Sequence, residues 1–261
     1  MAPDRRRRLG KDRPPLSVTI LGSAGTAPHA DNPCSGYLVR TPSTTVWVDA
    51  GPGTFAALLD HLELADVDAI VLSHQHPDHW TDLAVVRNAA RYLLGIDRIA
   101  TFAPAGLEGM VEQVLGDRSA PLAWTTVADG SEVAIGDLSV RFSRTDHPVE
   151  TLAMRIEAGG RVLGYSADTG PAWSFAALDP EGAGFDLALC EATLAPHEAD
   201  AVQHHLTATQ AGAMADAAKV QRLGLTHLLA GTEADREAEA SAPDAFDGPV
   251  EIARPGYTFT V

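Results

Sequence analysis

The chain has 261 residues, 45% of them hydrophobic and 21% charged, with a formal net charge of −16 at pH 7. That length suits one large domain with two buried layers or two small ones, and the composition is that of an ordinary soluble globular protein. No apolar run approaches the ~20 residues needed to cross a bilayer. Two cysteines, Cys34 and Cys190, argue against a disulfide framework and leave no room for a thiolate zinc site, so both read as small buried or half-buried residues.

Charge is unevenly spread. Residues 1–15 carry six basic and two acidic side chains, which leaves −20 on residues 16–261. A body that acidic repels polyphosphate, and phosphate neutralisation dominates nucleic-acid affinity, so long RNA or DNA is a poor partner. Arg5 to Arg8 superficially suggest a twin-arginine export signal. Lys11, Asp12, Arg13 and two prolines follow instead of an apolar segment, so export is rejected and a cytoplasmic protein is expected. Residues 1–15 read as a flexible basic N-terminal extension, either a solvated run or a basic arm.

Ordered structure is expected from Leu16. Leu16 to Leu21 alternates as a strand and exits through Gly22-Ser23-Ala24-Gly25-Thr26, a tight turn that is only a weak phosphate-nest signal. Strands follow at Gly36 to Arg40 and Thr44 to Asp49; Gly51-Pro52-Gly53 then breaks the chain before a short helix from Thr54 to Leu62. The apolar run Asp68 to Ser73 is a strand that delivers His74-Gln75-His76-Pro77-Asp78-His79. In an extended segment alternate side chains share a face, so His74 and His76 point together, while Asp78 and His79 lie past the proline turn. That arrangement suits two adjacent metal ions, because imidazole and carboxylate are the usual ligands of zinc and its neighbours. A polar loop that happens to be histidine-rich is the alternative.

Thr81 to Leu94 has helical spacing, with its N-terminus beside His79. Residues 98–145 alternate short strands with one helix near Leu107 to Leu115, and Asp137 to Arg144 is an alternating strand that delivers His147. Leu152 to Glu157 and Arg161 to Ser166 form a hairpin through Ala158-Gly159-Gly160 and lead to Asp168. Phe185 to Cys190 is a buried-type strand ending in Glu191-Ala192-Thr193. Thr207 to Gln210 fits a capping box that starts an Ala-rich helix running to Gln221. Leu223 to Leu229 is a strand interrupted by Thr226-His227, and Val250 to Val261 give one or two edge strands. The later candidate ligands His147, Asp168 and His227 all stand at strand ends, where loops converge on a site. His29, His61, His197 and His204 read as exposed or partnerless residues.

H-x-H-x-D-H after a strand, then a histidine, an aspartate and a histidine, resembles the signature of the metallo-β-lactamase superfamily across essentially all of residues 16–261. The resemblance implies a single-domain α/β fold, a four-layer αββα sandwich with the metals at one rim. It implies that His74, His76 and His147 hold one divalent ion and Asp78, His79 and His227 a second, with Asp168 bridging both; zinc is expected, and manganese or iron would suit the same ligands. Tyr165-Ser166-Ala167-Asp168-Thr169-Gly170 looks like the S-G-D-T segment of ribonuclease Z and related phosphodiesterases, with alanine where glycine is usual. Alanine fits there unless φ is positive. Glu191-Ala192-Thr193, His205-Leu206-Thr207-Ala208 and Leu225-Thr226-His227 resemble their E-A-T, H-x-T-A and L-T-H segments. The tRNA-gripping arm of ribonuclease Z is missing, since residues 148–167 are consumed by a hairpin.

The chain is therefore similar to the compact ribonuclease Z-like group that includes cyclic-nucleotide phosphodiesterases. The activity implied is hydrolysis of a small phosphodiester by a hydroxide shared between two metal ions. His205, oriented by Glu191, would stabilise the phosphate or protonate the leaving oxygen, although Glu191 could equally cap a neighbouring loop; Asp78 completes the expected catalytic set. Rival readings are a ribonuclease Z-like RNA endonuclease, a hydrolase of thioesters, lactones or β-lactams, and a catalytically silent binding module. Relatives in this family are often homodimers, but the sequence reveals no interface.

Overall fold

In β1 (Ser17–Gly22), β2 (Gly36–Arg40) and β3 (Thr45–Val48), successive residues enter two different cores. Val18, Ile20, Tyr37, Val39, Val46 and Val48 pack into one, and Leu21, Leu38 and Trp47 into another. β11 (Leu187–Glu191) divides likewise, with Leu187 and Leu189 on one side and Ala188 and Cys190 on the other. Strands apolar on both faces must be covered on both, which fixes a layered design. This computed structural model describes residues 14–116, 120–199, 204–229, 238 and 240–261; most of the basic N-terminal extension (residues 1–13) lies outside the described residues.

The first sheet has the order β14-β1-β2-β3-β4-β5-β6, with β4 (Ala69–Val71), β5 (Ile99–Ala103), β6 (Leu122–Thr126) and β14 (Thr258–Thr260). The second has the order β13-β12-β11-β10-β9-β8-β7, with β7 (Glu132–Ile135), β8 (Leu138–Arg144), β9 (Leu152–Ala158), β10 (Arg161–Tyr165), β12 (Leu223–Thr226) and β13 (Val250–Ile252). The inner faces meet in one core. Outside the first sheet lie α1 (Thr54–Leu59), α2 (Leu83–Asn88) and α3 (Leu107–Leu115), burying Leu58, Leu83, Val86, Leu107 and Val111. Outside the second lies α4 (Ala208–Ala217), burying Ala208, Ala211 and Ala215. The result is the expected four-layer αββα sandwich.

Several boundaries differ from the sequence reading, each for a local reason. The expected helix from Thr81 to Leu94 is α-helical only over Leu83–Asn88 and continues as a π-helical turn, Ala89–Leu94. The wider turn carries Leu93 and Leu94 off the buried face, leaving them 81% and 52% exposed. α1 stops at Leu59, three residues short of Leu62. α4 starts from the expected box, in which Thr207 Oγ1 accepts from Gln210 N–H and Gln210 Oε1 from Thr207 N–H. It ends at Ala217, because Lys219 is left-handed and Val220 bridges to Phe185. β12 ends at Thr226, since His227 also turns left-handed at φ 56°. The two closing strands, β13 and β14, edge opposite sheets.

The same rim of both sheets collects the candidate ligands. β10, β11 and β12 run parallel, and β8 is separated from β10 by one antiparallel strand, so Asp168, Glu191, His227 and His147 all follow like-directed ends. β3 and β4 are parallel in the first sheet, which brings Asp49 and His74 to that rim. Gly159 and Gly160, at φ 57° and 75°, close the β9–β10 hairpin, so a tight turn is all that joins these strands between His147 and Asp168. Among the described residues no helix is long and apolar enough to cross a membrane, and Cys34 and Cys190 are buried free thiols.

Candidate metal centre

The histidine-rich segment stays extended to His76, at φ −68° and ψ 140°, and then turns through a 3-10 segment, Pro77–His79. Pro77 supplies the fixed φ that such a start favours. The structure brings His74, His76, Asp78, His79, His147, Asp168 and His227 together. Donor atoms of His74, His76, His147 and Asp168 lie within 4.8 Å of one another, and so do those of Asp78, His79 and His227. Asp168 Oδ2 stands 3.6 Å from His74 Nε2 and 4.0 Å from His147 Nε2. Its Oδ1 stands 3.3 Å from His79 Nε2 and 3.4 Å from His227 Nε2. One carboxylate thus turns one oxygen to each group.

Hydrogen bonds around the cluster fix where the imidazole protons sit. His147 Nδ1 faces the carbonyl of His204 at 3.1 Å and must carry a proton there. His79 Nδ1 faces Asp49 Oδ2 at 2.8 Å. Ser73 Oγ spends its proton on Asp49 Oδ2 and so accepts from His74 Nδ1 at 3.0 Å. Thr193 Oγ1 has Glu191 Oε2 and the His227 carbonyl as acceptors, so it takes the His227 Nδ1 proton at 2.8 Å. Each of these four rings therefore presents a bare Nε2 inward. His76 Nδ1 completes the set, 3.1 Å from both His74 Nε2 and His147 Nε2. Five imidazole nitrogens and two carboxylates converge, and the buried Oδ1 of Asp168 has no hydrogen-bond partner among the described residues. Crowded lone pairs of this kind call for positive charge, and the donor set fits metal ions.

With protons alone to supply positive charge, the same crowding shows as opposed titration tendencies. Burial works against ionisation of Asp168, yet the His227, His79 and His74 imidazoles hold its carboxyl well below the usual range. Burial also disfavours charge on His79, but Asp168 and Asp49 outweigh it and raise that ring well above its ordinary value. His74, with burial dominant, is pushed well below.

His205 sits beside the cluster, its ring centroid 5.3 Å from that of His147 and 5.6 Å from that of His227. Its Nδ1 is 2.9 Å from Glu191 Oε1. Burial opposes charge on this ring, but the Glu191 hydrogen bond and charge prevail and raise it to about 9. Glu191 is fully buried and also accepts from Thr169 N–H (2.7 Å), Thr193 Oγ1–H (2.8 Å) and Leu206 N–H (3.2 Å). It both orients His205 and pins two loops. His29, His197 and His204 have exposed side chains and His61 is half-buried, as the sequence suggested, although the His204 backbone carbonyl serves the cluster.

Sequence reasoning missed three supports. Asp49, at the β3 exit, accepts from Ser73 N–H and Oγ–H, His79 Nδ1–H and the Tyr165 hydroxyl. Thr26, in the turn read as a plain strand exit, donates its N–H to Asp78 Oδ2 at 2.9 Å. Gly25 in the same turn lies against His227, where a Cβ would stand 2.7 Å from its carbonyl oxygen and 2.9 Å from Nδ1. Gly25→Ala is thus expected to displace His227 and weaken metal uptake about tenfold or more while the fold is kept, a result that metal titration and circular dichroism would check together.

Four of the five described non-glycine residues with positive φ belong to this site: Thr26, Asp49, Ala167 and His227. Strain held by surrounding structure is a feature of functional sites. Ala167 has φ 50°, so the condition under which alanine fits poorly does apply. The left-handed backbone costs about 1–2 kcal/mol. Its buried methyl offsets about 0.8 kcal/mol, and glycine would lose a further ~0.5–1 kcal/mol in chain entropy. These terms nearly cancel, which is why alanine is tolerated here.

A fold of two sheets with their like-directed strand ends lined by histidine and aspartate defines a metallo-hydrolase. The family model for the beta-lactamase superfamily domain matches residues 44–228, and the chain belongs to that superfamily. An uncharacterized protein of Mycobacterium leprae is 33% identical over 94% of this chain and 89% of its own length. The probable metallo-hydrolase YhfI of Bacillus subtilis is 28% identical, covering 94% and 99%. The crystal structure of YhfI superposes with a TM-score of 0.82 over 95% of this chain and 99% of that one, at 26% identity. A ribonuclease Z of Mycolicibacterium gilvum is 28% identical over 91% of this chain and 93% of its own.

Proposed function

We propose that this metallo-hydrolase is a two-metal phosphodiesterase acting on a small phosphodiester such as a cyclic nucleotide. The observation that carries the reading is the His205–Glu191 pair at the edge of a ligand cluster in which Asp168 turns one oxygen to each half. In this reading His74, His76 and His147 would hold one divalent ion and Asp78, His79 and His227 a second, with Asp168 available to both; zinc is the expected metal. Bound there, the ions supply Lewis acidity and a water ionised near neutral pH.

The chain's own residues then do the following. Glu191 keeps the His205 Nδ1 proton, so Nε2 is the end turned to a phosphate oxygen, which it hydrogen-bonds or protonates as the ester oxygen departs. The Thr26 N–H holds Asp78 in place, and Asp49 holds His79. Chain outside residues 16–261 aside, the short β9–β10 connection offers no arm for a folded RNA, and the acidic body disfavours one.

The second reading is an RNA endonuclease, favoured by the likeness to ribonuclease Z. Metal analysis beside a substrate panel tests both: 3′,5′- and 2′,3′-cyclic nucleotides, bis(p-nitrophenyl) phosphate, a pre-tRNA and a thioester. We expect about two metal equivalents and turnover of the cyclic nucleotides and the aryl diester. Cleavage of pre-tRNA with inert cyclic nucleotides would move the assignment to RNA, and thioester turnover alone would move it to carbonyl chemistry. Metal-loaded protein inactive on every substrate would mark a silent binding module.

A further inference from the structure

The candidate ligands are divided between the two sheets. His74, His76, Asp78 and His79 follow β4 of the first; His147, Asp168 and His227 follow β8, β10 and β12 of the second. Whether the two sets can reach the same ions depends on how far apart the sheets stand at this rim. Most of the layer between them is aliphatic packing, which is non-directional and sets a spacing only loosely. Directional contacts across this rim come from the main chain, where Leu152 N–H donates to the Ser73 carbonyl at 3.0 Å and the Gly25 and Leu228 N–H groups to the Leu228 and Ser23 carbonyls, and from two phenols. Tyr165, on β10 of the second sheet, donates to Asp49 Oδ2 of the first at 2.7 Å. Tyr37, on β2 of the first sheet, shares a hydrogen bond with Thr226 Oγ1 of the second at 2.6 Å. The two rings pack on each other, with centroids 4.9 Å apart and planes inclined at 56°.

We propose that Tyr165 and Tyr37 form a reciprocal clasp between the sheets that, together with those main-chain bonds, sets the separation of the two halves of the ligand cluster, with Tyr165 the positioning residue for His79. Each hydroxyl ends one step from a candidate ligand. Asp49 accepts the His79 Nδ1 proton through the same Oδ2 that Tyr165 holds, and Thr226 is the residue before His227. Both side chains are almost wholly buried, and phenylalanine would fill the same space with no hydroxyl to desolvate. What the hydroxyls add is direction. Without Tyr165 Oη, Asp49 keeps its bonds to Ser73 and His79, all within the first sheet, and loses its hydrogen bond to the second. His79 Nδ1 is then held by a carboxylate that Tyr165 no longer aims.

This inference rests on reading the cluster as a metal centre, and the test separates the two. The full chain, stripped of metal, is titrated with Co(II) and followed by its visible absorption, for wild type, Tyr165→Phe, Tyr37→Phe, Asp49→Asn and the Asp49→Asn/Tyr165→Phe double variant. Tyr165→Phe is expected to weaken cobalt binding about tenfold and to change the ligand-field spectrum. Tyr37→Phe should move both in the same sense, and Tyr165→Phe should add almost nothing once Asp49 is asparagine. A Tyr165→Phe protein with wild-type affinity and spectrum, merely melting lower in its metal-free and loaded forms alike, overturns the clasp alone. So does additivity with Asp49→Asn. Wild-type protein that takes up no cobalt overturns the metal-centre reading and the clasp with it.

Discussion

Asp168→Ala is expected to reduce bound metal from about two equivalents to one or none and to lower turnover roughly a thousandfold or more. The size follows from its position. Its two oxygens face different halves of the cluster, each 3.3–4.0 Å from two imidazole nitrogens. No neighbouring carboxylate can stand in for both, since Asp78 faces only the His79–His227 half, with Oδ2 3.7 and 3.2 Å from their Nε2 atoms. Loss of this carboxylate leaves five inward imidazole nitrogens with Asp78 alone among the candidate ligands to offset the charge of an ion. Asp168→Asn separates shape from charge. It keeps one acceptor oxygen and the side-chain volume, so it should retain more metal than the alanine variant and still lose most of the activity. Inductively coupled plasma analysis of the purified variants, beside rates on an aryl phosphodiester, decides it. An alanine variant with full metal content and near-normal rate would remove Asp168 from the centre.

Strand ends were the legible part of this site, and contacts made by the backbone were not. H-x-H-x-D-H, His147, Asp168 and His227 could be picked out because each sits just after an apolar run, and strands buried on both faces read as near-continuous apolar segments. Asp49 also ends such a strand, but a lone aspartate before Gly51-Pro52-Gly53 reads as a turn former, and only tertiary structure sets it against His79 and Tyr165. The Thr26 N–H and the His204 carbonyl contribute main-chain atoms, which carry no sequence signature at all. Left-handed φ at Ala167 and His227 was equally hidden, because side chains rarely adopt it unless the surrounding fold imposes it. The π-helical turn at Ala89–Leu94 misled in the opposite sense: its apolar residues kept an α-helical spacing that the backbone does not follow. The partition of Val250–Ile252 and Thr258–Thr260 between opposite sheets is a matter of long-range pairing, beyond any local pattern.

His205→Ala and Glu191→Gln should separate catalysis from scaffolding within one hydrogen-bonded pair. His205 Nδ1 is held by Glu191, and its ring lies against those of His147 and His227 without replacing either in the two main ligand groups. Removing it should cut turnover by roughly 10²–10⁴, the range for a positioned general acid, while metal content stays near wild type. Its donor does lie within 4.8 Å of those of Asp168 and His227, so ligation is the competing role, and metal lost along with activity would establish that role. Glu191→Gln should behave differently. Its Oε1 accepts from Thr169 N–H and His205 Nδ1–H, and its Oε2 from Thr193 Oγ1–H and Leu206 N–H. Whichever way an amide is turned, its NH2 faces two donors in a fully buried site, so at least two bonds are lost and a donor is left unsatisfied. That costs about 1–3 kcal/mol of stability on top of the slower reaction. A glutamine variant as stable as wild type but slow would make Glu191 purely an orienting group, and one that melts low yet turns over normally would make it purely structural. The five hydrogen bonds it accepts, the Thr193 N–H at 3.4 Å included, require both losses together.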